Sequence, residues 1–328
     1  LLFISLIVIA SQTIAQGPYA PHAGQANTTA MYKDSSSFIS WATECVTTRG
    51  LQDISNPSGG IANVGLNNGG VGQPGANGVV SLGDGGSAIL TFGSPIINGT
   101  GADFAVFENG FEDIGQGGYF LELAFVEVSS DGINFFRFEA TSLTNTTTQT
   151  SSFGVTDATN INNLAGKYRV QYGTPFDLDE LNGTPGLDIN NITHVKIIDV
   201  VGNINPLYAT YDSQNTPIND PWPTGFGSSG FDLDALGVIH SISNAVDVIN
   251  NNLISTLYPN PIKDVLTINL NGNNSYNYTI LNLSGAIMFN GKIKNSPHHI
   301  KLNNLSSGIY FLKVTSEQGV EMRKIVKY

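Results

Sequence analysis

Short apolar runs bordered by turn-forming residues occupy most of the chain. Residues 103–107 and 194–201 are examples, and Gly, Asn, Asp or Pro flanks them. Residues 119–129 predict one longer strand, and the Ser-Asp-Gly turn at 130–132 after it is a strong hairpin signal. No window combines a sustained helical period with caps at both ends. The pattern predicts an all-β fold, with a jelly-roll-like β-sandwich as the larger domain.

A second set of alternating residues lies near the end of the chain. Residues 265–270 and 309–314 predict strands, and the sign of the charge changes close to where this set begins. Residues 1–256 contain 6 Lys or Arg and 23 Asp or Glu, whereas residues 257–328 contain 8 and 3, so the two parts carry −17 and +5. This change of sign, together with an Asn-rich stretch between the parts, indicates two separate folding units.

The predicted organisation begins with an export signal. Residues 1–10 are almost purely apolar, and Thr13 and Ala15 place small residues before a cleavage point after Ala15. No Met or basic stretch precedes them, so we expect the start of the signal to be clipped. The apolar run is shorter than the ~20 residues that span a membrane, so we expect a mature protein without a transmembrane segment. The predicted parts are a signal peptide at 1–15, a β-sandwich cargo domain at 16–243, a linker at 244–256 and a C-terminal domain at 257–328.

Residues 126–135, Val-Glu-Val-Ser-Ser-Asp-Gly-Ile-Asn-Phe, resemble the strand–turn–strand of galactose-binding-like jelly rolls. The wider pattern at 103–111, 160–166 and 230–238 resembles a family of exported bacterial surface proteins whose function is undefined. This resemblance implies a fold and a location outside the cell, and it implies no particular ligand.

The C-terminal part resembles the sorting domain of the type IX secretion system of Gram-negative bacteria. The resemblance rests on four segments in order, at 258–268, 278–288, 305–314 and 319–328. It implies a small immunoglobulin-like sandwich that the outer-membrane translocon recognises and a surface peptidase removes. It also implies that the cargo crosses the periplasm before this cleavage and is afterwards transferred to a surface lipopolysaccharide or released, so that it is secreted or held on the outer cell surface. The sorting-motif residues are Tyr258, Pro259, Asn260, Pro261, Gly308 and Lys324.

Acidic residues of the large domain predict a Ca²⁺ site. Calcium prefers several oxygen ligands from carboxylates, Asn side chains and loop carbonyls, and the loop at 208–220 is dense in them. The alternative is that these acids are dispersed and solvated. The candidate ligands are Asp212, Asp220, Asp232, Asp234 and, with less support, Glu108.

The same region concentrates aromatic residues between prolines. Exposed aromatic rings on stiff loops suit stacking on sugar rings, with Asp or Asn side chains bonding the hydroxyls. The alternative is that these rings cap the end of the sandwich core. The candidate glycan-binding residues are Tyr208, Tyr211, Trp222 and Phe226.

Composition narrows the function further. A net charge of −12 argues against nucleic acid as a partner, and a single Cys rules out an intrachain disulfide. No Gly-x-Ser-x-Gly nucleophile motif occurs, although Glu108 with Glu112 or Asp113 could pair for glycoside hydrolysis. The sequence therefore favours a non-catalytic surface or secreted binding protein, with a glycan as candidate ligand. The alternatives are a surface hydrolase acting on polysaccharide and a structural or adhesion protein.

Overall fold

The computed structural model describes residues 17–241, 253–271, 275–316 and 319–328. The chain divides into two compact units, one ending at Ile242 and one running from Ser243 to Tyr328. The predicted signal peptide at 1–15 lies outside the described residues. The predicted all-β class is confirmed, because the regular structure of the described residues consists of strands and three short 3₁₀ helices.

The N-terminal unit is built from short strands joined by long loops. Its 3₁₀ helices are Pro57–Gly59, Ala158–Asn160 and Leu178–Leu181. Its strands are β1 (Met31–Tyr32), β2 (Ser40–Trp41), β3 (Glu44–Thr48), β4 (Val80–Ser81), β5 (Ser87–Ile96), β6 (Phe104–Glu108), β7 (Phe111–Asp113), β8 (Gly118–Phe120), β9 (Ala124–Ser129), β10 (Phe136–Arg137), β11 (Thr141–Ser142), β12 (Ile161–Asn162), β13 (Tyr172–Phe176), β14 (Ile192–Asp199) and β15 (Asp232–Val238).

Two antiparallel sheets form the body of this unit. One has the order β1-β13-β6-β15-β2, with β4 also pairing β15, and the other has the order β10-β9-β14-β5-β3. Val106 and Leu233 from the first sheet join the same buried cluster as Val126 and Ile197 from the second. This shared apolar interior between two sheets makes the unit a β-sandwich.

Both outer faces of the sandwich are also partly covered. Phe107 and Ala235, on the outer face of the first sheet, pack against Phe38 and Trp41 from the N-terminal segment. Burial on both sides explains why β6 is a continuous apolar run with no polar alternation before its final residue, Glu108.

The single strand predicted at 119–129 is wrong. The structure divides it into β8 and β9 because residues 121–123 leave the ladder, and the backbone N–H of Leu123 donates instead to the carboxylate of Asp220 at 2.9 Å. The predicted hairpin after β9 is present, with Phe136 opposite Val128.

The C-terminal unit is a smaller set of two sheets around its own core. The sheet orders are β16-β17-β20 and β19-β18-β21-β22, and Leu266, Ile280 and Leu312 lie in the buried cluster. Its strands are β16 (Ile254–Tyr258), β17 (Val265–Leu270), β18 (Tyr276–Leu281), β19 (Ile287–Ile293), β20 (His298–Lys301), β21 (Gly308–Ser316) and β22 (Gly319–Lys327).

The linker predicted at 244–256 is too long at its C-terminal end. Residues 244–252 lie outside the described part of the chain, but residues 254–256 already belong to β16, where Ile254 pairs with Leu270. Leu253 and Ile254 are buried in the core of the C-terminal unit, and this burial is what extends the strand beyond the polar stretch.

Candidate functional site

Buried carboxylates gather at one end of the N-terminal sandwich. Glu108 is the last residue of β6, and Asp232 is the first residue of β15. Because Glu108 lies opposite Leu233, both acids are at the same end of these two neighbouring strands. On the second sheet, Asp199 ends β14 and lies opposite Ala124, the first residue of β9. Glu122 comes two residues before Ala124 in the chain. We call the six buried acids of this end the acidic cluster: Asp84, Glu108, Glu122, Asp199, Asp220 and Asp232.

Several of these carboxylates accept backbone N–H groups that the strands leave unpaired. Asp199 accepts from Phe231 N at 2.7 Å with one oxygen and from Gly85 N at 2.9 Å with the other. Because Asp199 belongs to the second sheet and Phe231 adjoins β15 of the first, this one side chain ties the two sheets together. Asp84 in turn accepts from Ile54 N at 2.7 Å.

The interior raises the pKa of every member of the acidic cluster. Burial raises the pKa of Asp84 and of Asp232 to about 6. Burial and then the nearby charge of Asp232 raise the pKa of both Glu108 and Glu122 well above the usual range. The pKa values of Asp199 and Asp220 are raised mainly by burial as well.

Glu108 and Glu122 are the least satisfied members of the cluster. Oε2 of Glu108 accepts from Gly110 N at 2.6 Å, but its buried Oε1 has no hydrogen-bond partner among the described residues. The Glu122 carboxylate is buried between other acids, and no hydrogen bond from the described part of the chain reaches it. Buried polar atoms without partners are rare in folded proteins, so we expect a ligand or protons to bind at this end of the sandwich.

The structure brings together only part of the predicted calcium set. Glu108 lies within the electrostatic reach of Asp232 and Asp234. Asp212 is held elsewhere, because its carboxylate accepts from Ser142 N, Gln214 N and Thr216 N. Within the described ranges, no three Asp, Glu, His or Cys side chains converge closely enough to form a ready-made metal centre. The calcium site and its ligands stay predictions.

A row of aromatic rings runs beside this end, with one buried member, Phe120, and three exposed ones. Its members are Phe111, Phe120, Phe153 and Phe226, and successive ring centroids are 4.9, 6.1 and 5.9 Å apart. The rings of Phe153 and Phe226 are almost parallel, at 5°, although the side chains are 58% and 37% exposed. We call these four residues the aromatic strip.

Hydrogen bonds hold the loops that carry the strip. The buried amide of Asn219 donates to Thr148 O at 2.8 Å and accepts from Thr150 N at 2.9 Å. Trp222 N donates to Thr150 O, and Gln116 of the β7–β8 hairpin donates to Phe153 O. The exposed rings therefore sit on anchored backbone.

Of the four predicted glycan-binding residues, the structure places Phe226 in the aromatic strip. Trp222 is half-buried, and its Nε1 donates to Asp84 at 3.3 Å, so it contacts the acidic cluster. Tyr211 is 37% exposed and bridges to Pro217, while Tyr208 is half-buried in a turn. The ring contacts of the described residues include neither tyrosine.

Sequence reasoning missed several residues that the structure places here. Glu122 had a usable signal: it alternates with Leu121 and Leu123, and its own face continues as Ala124 and Val126, so the sequence pattern puts an acid on an apolar face. Phe111 and Phe120 are paired across the β7–β8 hairpin. Nothing local marks Phe153.

The sorting-motif residues lie in or next to strands β16, β21 and β22 of the C-terminal unit. Tyr258 ends β16 and is exposed, and Gly308 begins β21. The Asn260 side chain donates to Lys324 O at 3.0 Å and accepts from Val326 N at 2.9 Å, so the segment containing Pro259 and Pro261 is joined to β22.

Residues 256–328 match the family model described as the secretion system C-terminal sorting domain. A search of curated proteins found no match. The match confirms a sorting domain of the type IX secretion system at the C-terminus. The chain is thus a protein exported by that route, to the cell surface or the medium, and its tail interacts with the secretion machinery. Within the described ranges, no helix is long and apolar enough to cross a membrane.

Solved structures similar to this chain share little sequence with it. PorZ, a surface component of the type IX secretion system of Porphyromonas gingivalis, is 15% identical over 29% of this chain and 14% of its own, with a TM-score of 0.19. The BSP domain of a biofilm-associated protein is 12% identical over 74% and 48%, with a TM-score of 0.21. A β-glucuronidase from Ruminococcus gnavus is 9% identical over 90% and 47%, with a TM-score of 0.24. The matches span less than half of each of these proteins.

The acidic cluster predicts that stability falls as pH rises in a chelating buffer. Burial raises the pKa of Asp84 and Asp232 in the folded protein to about 6, against an ordinary value of 3.8, so the folded protein holds more protons than the unfolded chain between these values. Their contribution is fully present below pH ~4 and is lost as pH rises through 6, on the order of a few kcal/mol in total.

We expect thermal midpoints in EDTA to fall between pH 4.5 and pH 7, as a consequence of that proton balance. Asp84→Asn should make the fall shallower, because it removes one of the titrating carboxyl groups. The fold should tolerate this change, since both hydrogen bonds that Asp84 accepts go to one oxygen and an amide oxygen can keep them. Glu112→Gln, at an exposed acid, is the matched control. A midpoint that rises across this window would contradict the prediction.

Proposed function

We propose that the N-terminal unit is a non-catalytic binding module that the tail delivers outside the cell, and that its aromatic strip binds a glycan. The observation that carries the proposal is the exposed, parallel pair Phe153 and Phe226. Aromatic side chains in folded proteins are mostly buried, and stacked exposed ones offer a flat apolar surface for a ligand.

The surroundings of the strip supply the polar groups that a sugar needs. Glu112 and Asp113 lie on the β7–β8 hairpin beside Phe111, and Gln116 bonds both Asp113 and the backbone of Phe153. Anchored loops lower the entropy lost on binding, because few side chains and little backbone remain to be ordered. A planar ring surface with a polar border is typical of a site that stacks sugar rings and bonds their hydroxyls.

The hydrolase alternative has weaker support. Glu108 is 1% exposed, so a polysaccharide could not reach it without rearrangement of the sandwich end. Glu112 is exposed and Asp113 is half-buried on a surface hairpin, where water would have access to a reacting bond. A structural or adhesive role would use the same strip against a protein surface, and the experiment below separates it from glycan binding.

Binding of purified full-length protein to a polysaccharide array tests this function. We expect the double variant Phe153→Ala, Phe226→Ala to weaken glycan binding at least ~10-fold, because the stacking surface is lost. We also expect the parent protein to release no reducing ends from the polysaccharide, because the module is non-catalytic. Tyr32→Ala removes a comparably exposed ring (42%) elsewhere on the unit and should bind like the parent. Failure of the parent to bind any polysaccharide, or equal binding by the double variant, would overturn the glycan proposal.

We further propose that a Ca²⁺ ion bound at the acidic cluster neutralises its charge. The support is the buried Oε1 of Glu108 without a partner, together with the buried side chain of Glu122, which lies within the electrostatic reach of Glu108 and Asp232. Calcium takes six to eight oxygen ligands, so the Asn109 amide, backbone carbonyls and water would complete a site that the carboxylates only begin. Of the acids in the predicted set, the acidic cluster retains Glu108, Asp220 and Asp232, and it leaves Asp212 and Asp234 outside.

Thermal melts in millimolar Ca²⁺, Mg²⁺ and EDTA test the cation. A ligand that binds only the folded state stabilises it by about 2.7 kcal/mol at a hundredfold excess over Kd, so Ca²⁺ should raise the midpoint by several degrees. Mg²⁺ should do less, since it requires tighter geometry. Glu122→Gln should shrink the calcium shift, whereas Asp212→Asn should leave that shift unchanged. Coincident melts in Ca²⁺ and EDTA would refute the site.

A further inference from the structure

A groove lies along one side of the C-terminal unit, beside two edge strands. Among the described strands, β16 and β22 each lie at the edge of a sheet, and Ile262 bridges Lys327 near the end of β22. The groove has a volume of about 420 Å³. Its lining includes Ser255, Thr256, Leu257, Asn260, Arg323 and Lys324.

Two side chains join the strands that border this groove. Glu321 of β22 accepts from Ile254 N at 2.8 Å, which ties the start of β16 to β22. At the other end of β16, Asn260 makes its two hydrogen bonds to the backbone of β22. The groove is thus held at both ends by side-chain to backbone bonds between segments more than 60 residues apart in sequence.

Asn260 stands in for backbone at this position. Pro259 and Pro261 have no N–H, so the chain around Asn260 lacks two of the donors that a strand would offer. The Asn260 amide supplies one donor and one acceptor instead. Backbone pairing resumes at once, because Ile262 N donates to Val326 O and Tyr328 N donates to Ile262 O. The Pro-Asn-Pro segment therefore requires β22 in place.

The rim of the groove is positively charged. Arg323 pairs through Nε with Glu321 at 2.6 Å, which leaves its other guanidinium N–H groups for a partner. Lys324 is exposed and forms no ion pair within the described ranges. Basic residues also exceed acidic ones by five across residues 257–328. Negative charge on a partner would complement this rim and direct its approach.

We propose that this groove is the surface through which the tail is recognised, and that it binds an extended, carboxylate-bearing segment of the secretion machinery. An extended segment fits because β16 has a free edge and the groove follows it, as in recognition by strand addition. Asn260 is a positioning residue that holds the groove together, and Lys324 contacts the partner. The proposal rests on the sorting role of the tail.

Surface delivery of full-length variants in the native host tests this surface. Lys324→Glu should lower the delivered fraction at least ~10-fold, with the protein accumulating in the periplasm, because its charge opposes that of the partner. Lys324→Arg should be delivered normally. Lys301→Glu makes the same charge change at an exposed residue of β20, at the far edge of the three-stranded sheet, and should also be delivered normally. Asn260→Ala should reduce both delivery and the melting temperature of the tail.

The outcomes separate the groove from the sorting function itself. Delivery of Lys324→Glu at the level of Lys301→Glu, with deletion of residues 256–328 still trapping the cargo, would overturn the groove alone. Delivery of the deleted chain to the surface would overturn the sorting function. Since Asn260→Ala could unfold the tail, the decision rests on the exposed Lys324, whose variants should melt like the parent.

Discussion

The architecture of the N-terminal unit depends on carboxylates that replace missing strand partners in its interior. Just before β5, β9 and β15 begin, the backbone N–H groups of Gly85, Leu123 and Phe231 bond to the carboxylates of Asp199 and Asp220. A buried N–H group without an acceptor costs about 1–3 kcal/mol, so these acids are part of the fold. They also concentrate negative charge in a place where water cannot screen it.

This arrangement links the fold to the surface proposed for binding. Asp84 holds the loop at Ile54 and the indole of Trp222, and the Trp222 backbone bonds to the loop that carries Phe153. The acidic cluster and the aromatic strip are therefore connected through a few hydrogen bonds. A cation or protons that neutralise the cluster would stabilise the same loops that present the rings. The Asn260 side chain uses the same device in the tail, where an amide takes over from backbone next to two prolines.

The pattern of apolar and polar residues predicted strands correctly where burial and pairing depend on residues close together in the chain. Strands β6, β14 and β15 follow from apolar runs, and the hairpin after β9 follows from Asp-Gly at 131–132. The prediction failed at 119–129, because the break between β8 and β9 depends on Asp220, some hundred residues away. The tail was identified because its motifs lie in order within one short domain, and the family match at 256–328 confirms it.

The candidate site was harder to predict from the sequence, because it too depends on contacts between residues far apart in the chain. The sequence does not show which backbone N–H groups an acidic side chain will accept in the fold. Asp212, which accepts three of them, therefore could not be distinguished from Asp232, which lies near Glu108. Asp199 and Glu122 lie within strand-like runs, where an acid breaks the apolar pattern, and that break was the available signal.

Amide hydrogen exchange of the full-length protein, resolved by residue with NMR, tests the central claim most directly. If carboxylates complete the backbone pairing at this end, the amides of Leu123, Gly85 and Phe231 should exchange as slowly as those in the β9–β14 ladder, and Asp199→Ala should release Gly85 and Phe231 while leaving Leu123 slow. Rapid exchange of all three amides in the parent protein, at the rate of solvent-exposed amides without hydrogen bonds, would contradict the account.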